Sequence, residues 1–286
     1  VSGLTRKAIA AAFIASCRDE IEAPKPGNVH TVAGGHDMEA RHFLDSARVA
    51  APQIAARGAR VGARIRSAVG ATFAEVGMNT NLGILLLCAP LARAAESNGD
   101  LRPALRGVLK DMDAQDAADV YAAIARASPG GLGRASRYDV HEPPRSSLIE
   151  AMQEAAGRDM IARQYAADFT DIFDTGLPAA AQMRSMAGGL AIALGVYLTF
   201  LSQFLDTHIV RKHGVEIAEA IMREARVFAT RARSESDEQT FISDLLAFDM
   251  RLKRKRINPG TSADLTVATL FAARLSGILP ISPGDG

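Results

Sequence analysis

The stretch Ser185-Met186-Ala187-Gly188-Gly189-Leu190-Ala191-Ile192-Ala193-Leu194-Gly195-Val196-Tyr197-Leu198-Thr199-Phe200-Leu201-Ser202-Gln203-Phe204-Leu205 decides how the rest of the chain is read. It runs 21 residues without a charge, which reaches the ~20 that a helix needs to span a bilayer. Gly188, Gly189, Gly195, Ser202 and Gln203 dilute it, however, and the chain has no second run like it. A solitary apolar run with polar interruptions reads as the central helix of a protein core, with no membrane. Outward from it, apolar residues recur at helical spacing almost everywhere. The pattern predicts about ten or eleven helices, near 4–22, 38–58, 61–76, 82–97, 101–111, 114–127, 146–173, 178–205, 214–233, 236–254 and 264–276. Strict apolar–polar alternation is rare, and no repeat of fixed period is evident. The expected fold is therefore an all-α, single-domain multi-helix bundle over residues 1–286, with a long working loop at 129–145 and a frayed tail at 280–286.

Composition narrows the function classes. The chain of 286 residues carries 33 Lys and Arg against 32 Asp and Glu, a formal charge of +1. Proteins that coat nucleic acid or anionic lipid need a positive excess, so no nucleic-acid partner is expected. Aromatic residues are 5% and Trp is absent, which leaves little for base stacking. Cys17 and Cys88 are too few for a disulfide scaffold or a zinc cluster and fit reduced thiols in the cytoplasm. The Ile14-Ala15-Ser16-Cys17 segment mimics a lipoprotein cleavage box. Ile9, Phe13, Cys17 and Ile21 recur every four residues, as on the buried stripe of an ordinary helix.

In a helical protein the irregular polar segments carry the chemistry. The first is Glu22-Ala23-Pro24-Lys25-Pro26-Gly27-Asn28-Val29-His30, where two prolines stiffen the backbone around one lysine. It reads either as a plain helix stop or as a mount for an ammonium, with Gly27 letting a ligand approach the main chain. The second is Gly34-Gly35-His36-Asp37-Met38-Glu39, in which Asp37 either caps the next helix or serves as a Mg²⁺ ligand or proton acceptor. Glu39-x-x-His42 matches half of a di-iron helix motif and His36-Asp37 echoes helical phosphohydrolases, but neither finds its second half. The third is Gly77-Met78-Asn79-Thr80-Asn81-Leu82-Gly83, with more polar side chains than one helix cap requires. Asn258-Pro259-Gly260-Thr261-Ser262-Ala263-Asp264-Leu265 repeats that logic, and Asp206-Thr207-His208-Ile209-Val210-Arg211-Lys212-His213-Gly214 adds an acid and two cations. Each alone is a cap or a turn. Together they read as one phosphate-and-metal pocket between helices.

Taken in order, Pro24 to Val29, Gly35 to Met38 with Phe43 and Ser46, Asn79 to Gly83, Asp206 to Gly214 and Asn258 to Leu265 resemble the triphosphoribosyl-dephospho-CoA synthase family. The resemblance implies an all-helical enzyme. It joins the 2′-hydroxyl of 3′-dephospho-CoA to C1 of the ATP ribose and expels adenine. Dedicated members read Asn-Thr-His-Lys-Gly where this chain has Asn79-Thr80-Asn81-Leu82-Gly83. They read Ser-Pro-Gly-Gly-Ser-Ala-Asp where it has Asn258-Pro259-Gly260-Thr261-Ser262-Ala263-Asp264. The segments Leu85 to Leu91 and Arg158 to Tyr165 are similar to a branch found in methanogens and methylotrophs. For that branch the resemblance allows a different acceptor, in the synthesis of a methanopterin-like cofactor.

Pentosyl transfer places positive charge on the ribose as adenine leaves, and the triphosphate needs cations and, by the resemblance, Mg²⁺. The resemblance accordingly casts Asp37, His36 and Asp264 in proton transfer. It casts Lys25, Asn28, Asn79, Thr80, Asn81, Arg163, Arg211, Lys212 and Ser262 against phosphates and sugar oxygens, and Asp37, Asp206 and Glu22 around the metal. For Arg163, an i,i+4 pair with Asp159 on a helix surface is the alternative. The expected partners are a small-molecule nucleotide and a phosphorylated acceptor, and a homodimer is the assembly favoured by base rates. The rival classes are a metal-dependent nucleotide hydrolase and a helical nucleotide-binding protein without turnover.

Overall fold

The computed structural model describes residues 3–128, 138–144, 146–186, 189–234 and 237–281. Within them the chain forms α1 (Arg6–Glu22), α2 (Ala40–Ile54), α3 (Val61–Val76), α4 (Leu82–Ala94), α5 (Leu101–Lys110), α6 (Ala114–Ala127), α7 (Leu148–Ala155) and α8 (Met160–Ala166). A π-helical turn, Asp171–Gly176, leads into α9 (Leu177–Met186), α10 (Gly189–Gln203), α11 (Thr207–His213), α12 (Val215–Ser234), α13 (Glu238–Arg254) and α14 (Gly260–Leu275). Among the described residues the only β pairing is two isolated bridges, His30 with Ala33 and Gly35 with Met38. The all-α reading holds, with more and shorter helices than the periodicity suggested.

The extra helices have local causes. The segment expected as one helix at 146–173 breaks twice. Asp159 accepts hydrogen bonds from the amides of Ile161 and Ala162 and so starts α8 afresh. Asp168 and Phe169 then adopt left-handed backbone, φ 50° and 58°, before the π-helical turn. The run expected at 178–205 is divided between α9 and α10, and the residues between them lie outside the described set. Residues 206–213, expected as an irregular segment, hold α11, whose seven residues are too few to display a period. Of the loop expected at 129–145, residues 138–144 form turns and bends, and 129–137 and 145 lie outside the described residues, as does most of the tail.

The apolar run does occupy the centre, but shares it. Every residue of α10 from Ile192 to Ser202 is buried, and α14 is buried from Thr261 to Leu275 save only Asp264. α4 is buried over Ile84 to Ala92. α14 packs against α1, α4, α9, α10 and α11, and Phe13 of α1 meets Phe271 edge-on at 5.9 Å, an arrangement worth roughly 0.5–1.5 kcal/mol beyond burial. No single described helix is long and apolar enough to cross a membrane. Ile192–Gln203 and Thr207–His213 pass such a test only as a pair bent by 53°, and the first of them is core. With α4 and α14 side by side at the centre, their N-termini open at the same end of the bundle.

Candidate active site

The Pro24–His30 loop is a structural hub. Gly27 sits at φ +80°, where a Cβ would meet Leu252 Cδ1 at 2.8 Å and the Ile257 carbonyl at 2.9 Å. Its amide donates to Asp249 Oδ1 at 2.8 Å, and Tyr197 of α10 donates to the Pro26 carbonyl at 2.7 Å. Asp249 also holds His30 at 3.2 Å and Lys253 at 3.0 Å, and Lys253 reaches the Ala33 carbonyl. These donors and Lys253 draw the Asp249 carboxyl below its usual range despite burial. Thus α10 and α13 clamp the loop from two sides. The clamp delivers Asn28, whose amide donates to Asn258 at 2.8 Å, and His36, whose Nε2 donates to the Gly27 carbonyl at 2.8 Å.

Asn28 and His36 stand on the wall of a cleft of about 1080 Å³. The first turns of α4 and α14 supply its floor, and α11 contributes His208, Arg211 and Lys212. Asp206 fastens α11 to α14. It accepts from the His208 and Ile209 amides through Oδ1, and from the Ser262 amide and hydroxyl through Oδ2, all at 2.8–3.1 Å. Thr207 and Thr261 add a hydroxyl–hydroxyl contact at 3.1 Å. Beyond the polar floor the cleft continues between Phe43, Phe73, Tyr121, Ile124, Leu148 and Met152. The lining is therefore polar and cationic around the starts of α4, α11 and α14 and richer in apolar and aromatic side chains elsewhere, with Arg126 over the Phe73 ring.

Two titratable groups on this wall are pushed in opposite directions. Burial and the nearby carboxylates Glu20, Asp206 and Asp159 hold the Asp264 carboxyl well above the ordinary range, against a pull from Arg211. It fits only because position 83 is glycine, since a Cβ there would collide with Asp264 Oδ2. Burial and the cations Lys212 and Arg211 push the His208 imidazole down to about 3, and its ring packs over Gly260, again where a Cβ would not fit. The cleft therefore carries an imidazole held toward its neutral form and a carboxyl held toward its protonated form.

The structure brings together Asn28, His36, Asn79, Thr80, Asn81, Arg211, Lys212 and Asp264, all on the cleft wall. It does not bring the others there. Lys25 is fully buried, its ammonium engaged with Glu20 Oε1 at 3.1 Å and with the carbonyls of Glu20 and Val29. It supports the loop from inside and does not face the cleft. Asp37 points to solvent with 85% of its side chain exposed, and Glu22 is exposed at the end of α1. Asp206 and Ser262 are spent on each other. Arg163 pairs with Asp171 at 2.9 Å and stacks over Phe204, a different partner from the Asp159 of the helix-surface alternative. Reasoning from sequence passed over Glu20, His208 and Asn258 as site residues, although all three line the cleft. Glu20 had a readable signal, because it follows Cys17 by three residues on the buried stripe of α1, where a charge is out of place.

The structure does not gather the acids expected around Mg²⁺ into one site. The three acids expected to hold the ion are exposed or saturated, and among the described residues no three His, Cys, Asp or Glu side chains form a metal-binding group. The described donors do not fit a resident metal site.

Comparison with known proteins completes the picture. The family model described as ATP:dephospho-CoA triphosphoribosyl transferase (CitG) matches residues 6–281. The chain belongs to this family. As a CitG-family protein it is a transferase, and ATP is the family's pentosyl donor. The fold is similar to a solved structure from Archaeoglobus fulgidus assigned as a triphosphoribosyl-dephospho-CoA synthase, at TM-score 0.60 and 26% identity, covering 82% of this chain and 99% of that one. No curated protein matches the chain. The family match spans all five motif segments that meet at or beside the cleft.

Proposed function

We propose that this transferase moves the triphosphoribosyl group of ATP to a hydroxyl of a phosphorylated acceptor in the α4–α11–α14 cleft, releasing adenine. The observation that carries the reading is convergence. Segments as far apart as Asn28 and Asp264 line one cleft with Arg211 and Lys212. In this reading Arg211 and Lys212 meet the phosphates, Asn28, Asn79 and Thr80 orient phosphate and sugar oxygens, and Mg²⁺ arrives with the triphosphate. Asp264 is a proton-handling group, His36 lines the wall with its Nε2 held by the Gly27 carbonyl, and the helix N-termini of α4 and α14 favour the anion. A cleft near the upper end of ordinary ligand pockets, about 300–1,000 Å³, has space for a nucleotide and a second substrate.

A second acceptor class is favoured by one feature. Where dedicated members carry His-Lys, this chain places Asn81, whose amide is donated to Thr72 at 3.1 Å, and Leu82, which is buried. Neither brings charge to the cleft, so an acceptor with fewer phosphates than 3′-dephospho-CoA, of the pterin-cofactor kind, suits this wall better. Incubation with ATP, Mg²⁺ and either dephospho-CoA or pterin-pathway hydroxyl acceptors, followed by mass spectrometry, tests both. Free adenine with a pentosylated acceptor is expected. ADP or AMP with intact adenosine would move the protein to the hydrolases, and nucleotide binding without any product would leave it a binding protein.

A further inference from the structure

We propose that His208 is the base that takes the proton of the acceptor hydroxyl, an inference that rests on the pentosyl-transfer reading above. His208 lines the cleft, and among the described residues its ring makes no hydrogen bond, so a nitrogen lone pair is open to a substrate. Its position is fixed by the main chain. The His208 amide donates to Asp206 Oδ1 at 3.0 Å and to Thr261 Oγ1 at 3.2 Å, and Asp206 in turn grips the Ser262 amide. Asp264 follows Ser262 by two residues on the first turn of α14. The same staple therefore ties the start of α11, which carries the imidazole, to the first turn of α14, which carries the carboxyl. His36, the other cleft imidazole, already donates Nε2 to a backbone carbonyl.

The groups around each residue set its resting state, and the bound triphosphate, seated against Arg211 and Lys212, offsets the charge His208 takes on in the step. His208 is faced by Arg211, Lys212 and His213 from its own helix and by His36 from the 24–38 segment, all of which disfavour a charged ring. Asp264 is faced by Glu20 of α1, Asp159 at the start of α8, and Asp206, with Arg211 opposing them. Such a divergence marks an acid and a base within one site. In the step, the acceptor oxygen forms a bond to ribose C1 as the C1–N bond to adenine breaks, its electron pair staying on adenine. The hydroxyl proton passes to His208, and Asp264 gives its own proton to the departing base. Solvent then returns a proton from imidazolium to carboxylate, so atoms and charge balance without a redox partner.

The test is chemical rescue. His208→Ala and His208→Gln are assayed beside the wild type for adenine release with the working acceptor, and ATP binding and thermal melting confirm that each variant is folded. A general base contributes about 10²–10⁴-fold, so turnover in both variants is expected to fall at least ~100-fold with KM for ATP little changed. Added imidazole is expected to restore part of the rate in His208→Ala, where the ring has left a hole, and none in His208→Gln. Undiminished turnover in a folded variant, or a loss that imidazole leaves untouched in His208→Ala, overturns the assignment. Failure of the wild type itself to release adenine with any acceptor overturns the pentosyl-transfer reading, and the role of His208 falls with it.

Discussion

At the scale of single residues, the site depends on two hydrogen atoms. Gly83 and Gly260 lack the Cβ that would displace Asp264 and His208, so two glycines hidden in ordinary-looking helix starts create the seats of the two groups. Asp264 carries the sharper consequence. A carboxyl raised above its unfolded value binds its proton more tightly in the folded state. Its stabilising contribution is complete below the unfolded pKa and is lost as pH rises through the folded one. Asp264→Asn stays neutral throughout. It is expected to melt at the wild-type temperature near about pH 4 and above it near about pH 8, while losing on the order of 100-fold or more in turnover. Thermal melts at the two pH values, with adenine release measured alongside, check this, and a variant less stable than wild type at both would contradict it. Lys25 teaches a different lesson about residues. Flanked by two prolines it looks like a presented cation, yet its ammonium turns inward to Glu20. Its partners are all close in sequence, Glu20 and the carbonyls of Ala23 and Val29, but they converge on the ammonium only once α10 and α13 hold the loop at Pro26 and Gly27.

At the scale of elements, caps decide where helices begin and which of them meet. Asp159 and Asp206 each start a seven-residue helix, and these short helices were the ones hardest to read from periodicity. The long helices were legible, since α1, α3 and α6 bury faces whose spacing a sequence displays directly and α14 is apolar over most of its length. Asp206 does more than cap. It joins two helix starts through four hydrogen bonds, at a position only 1% exposed. Losing a cap costs about 0.5–2 kcal/mol and a hydrogen bond to a charged group about 1.5–3. Asp206→Ala is therefore expected to lose about 2–4 kcal/mol in denaturant unfolding and to lower turnover as His208 and Asp264 drift apart. A loss under about 0.5 kcal/mol would show that the staple is idle.

At the scale of the whole molecule, the cleft is a product of convergence, and ligand linkage measures it. If the cationic wall binds the triphosphate, ATP at a hundred times its Kd adds about 2.7 kcal/mol to stability, a rise on the order of 5–10 °C in Tm for a chain of this size. Replacing Arg211 and Lys212 together by Ala is expected to remove most of that rise while costing the free protein less than the rise itself, because Lys212 is exposed and the Arg211–Asp159 pair is a loose one at 3.7 Å. An unchanged ATP shift in that double variant would move the phosphate site elsewhere. The sequence alone determined the helical class, the core position of Ile192 to Ser202 within the long apolar run and the segments that border the site, because hydrophobic spacing, prolines and capping residues act over a few positions and are written in order along the chain. Only the tertiary structure decided that Asn28, His36, Arg211 and Asp264 share a wall, that Lys25, Asp37 and Arg163 do not, and that Glu20 and His208 belong there. The direction of a side chain in an irregular segment is set by contacts with elements far away in sequence, and no local pattern records them.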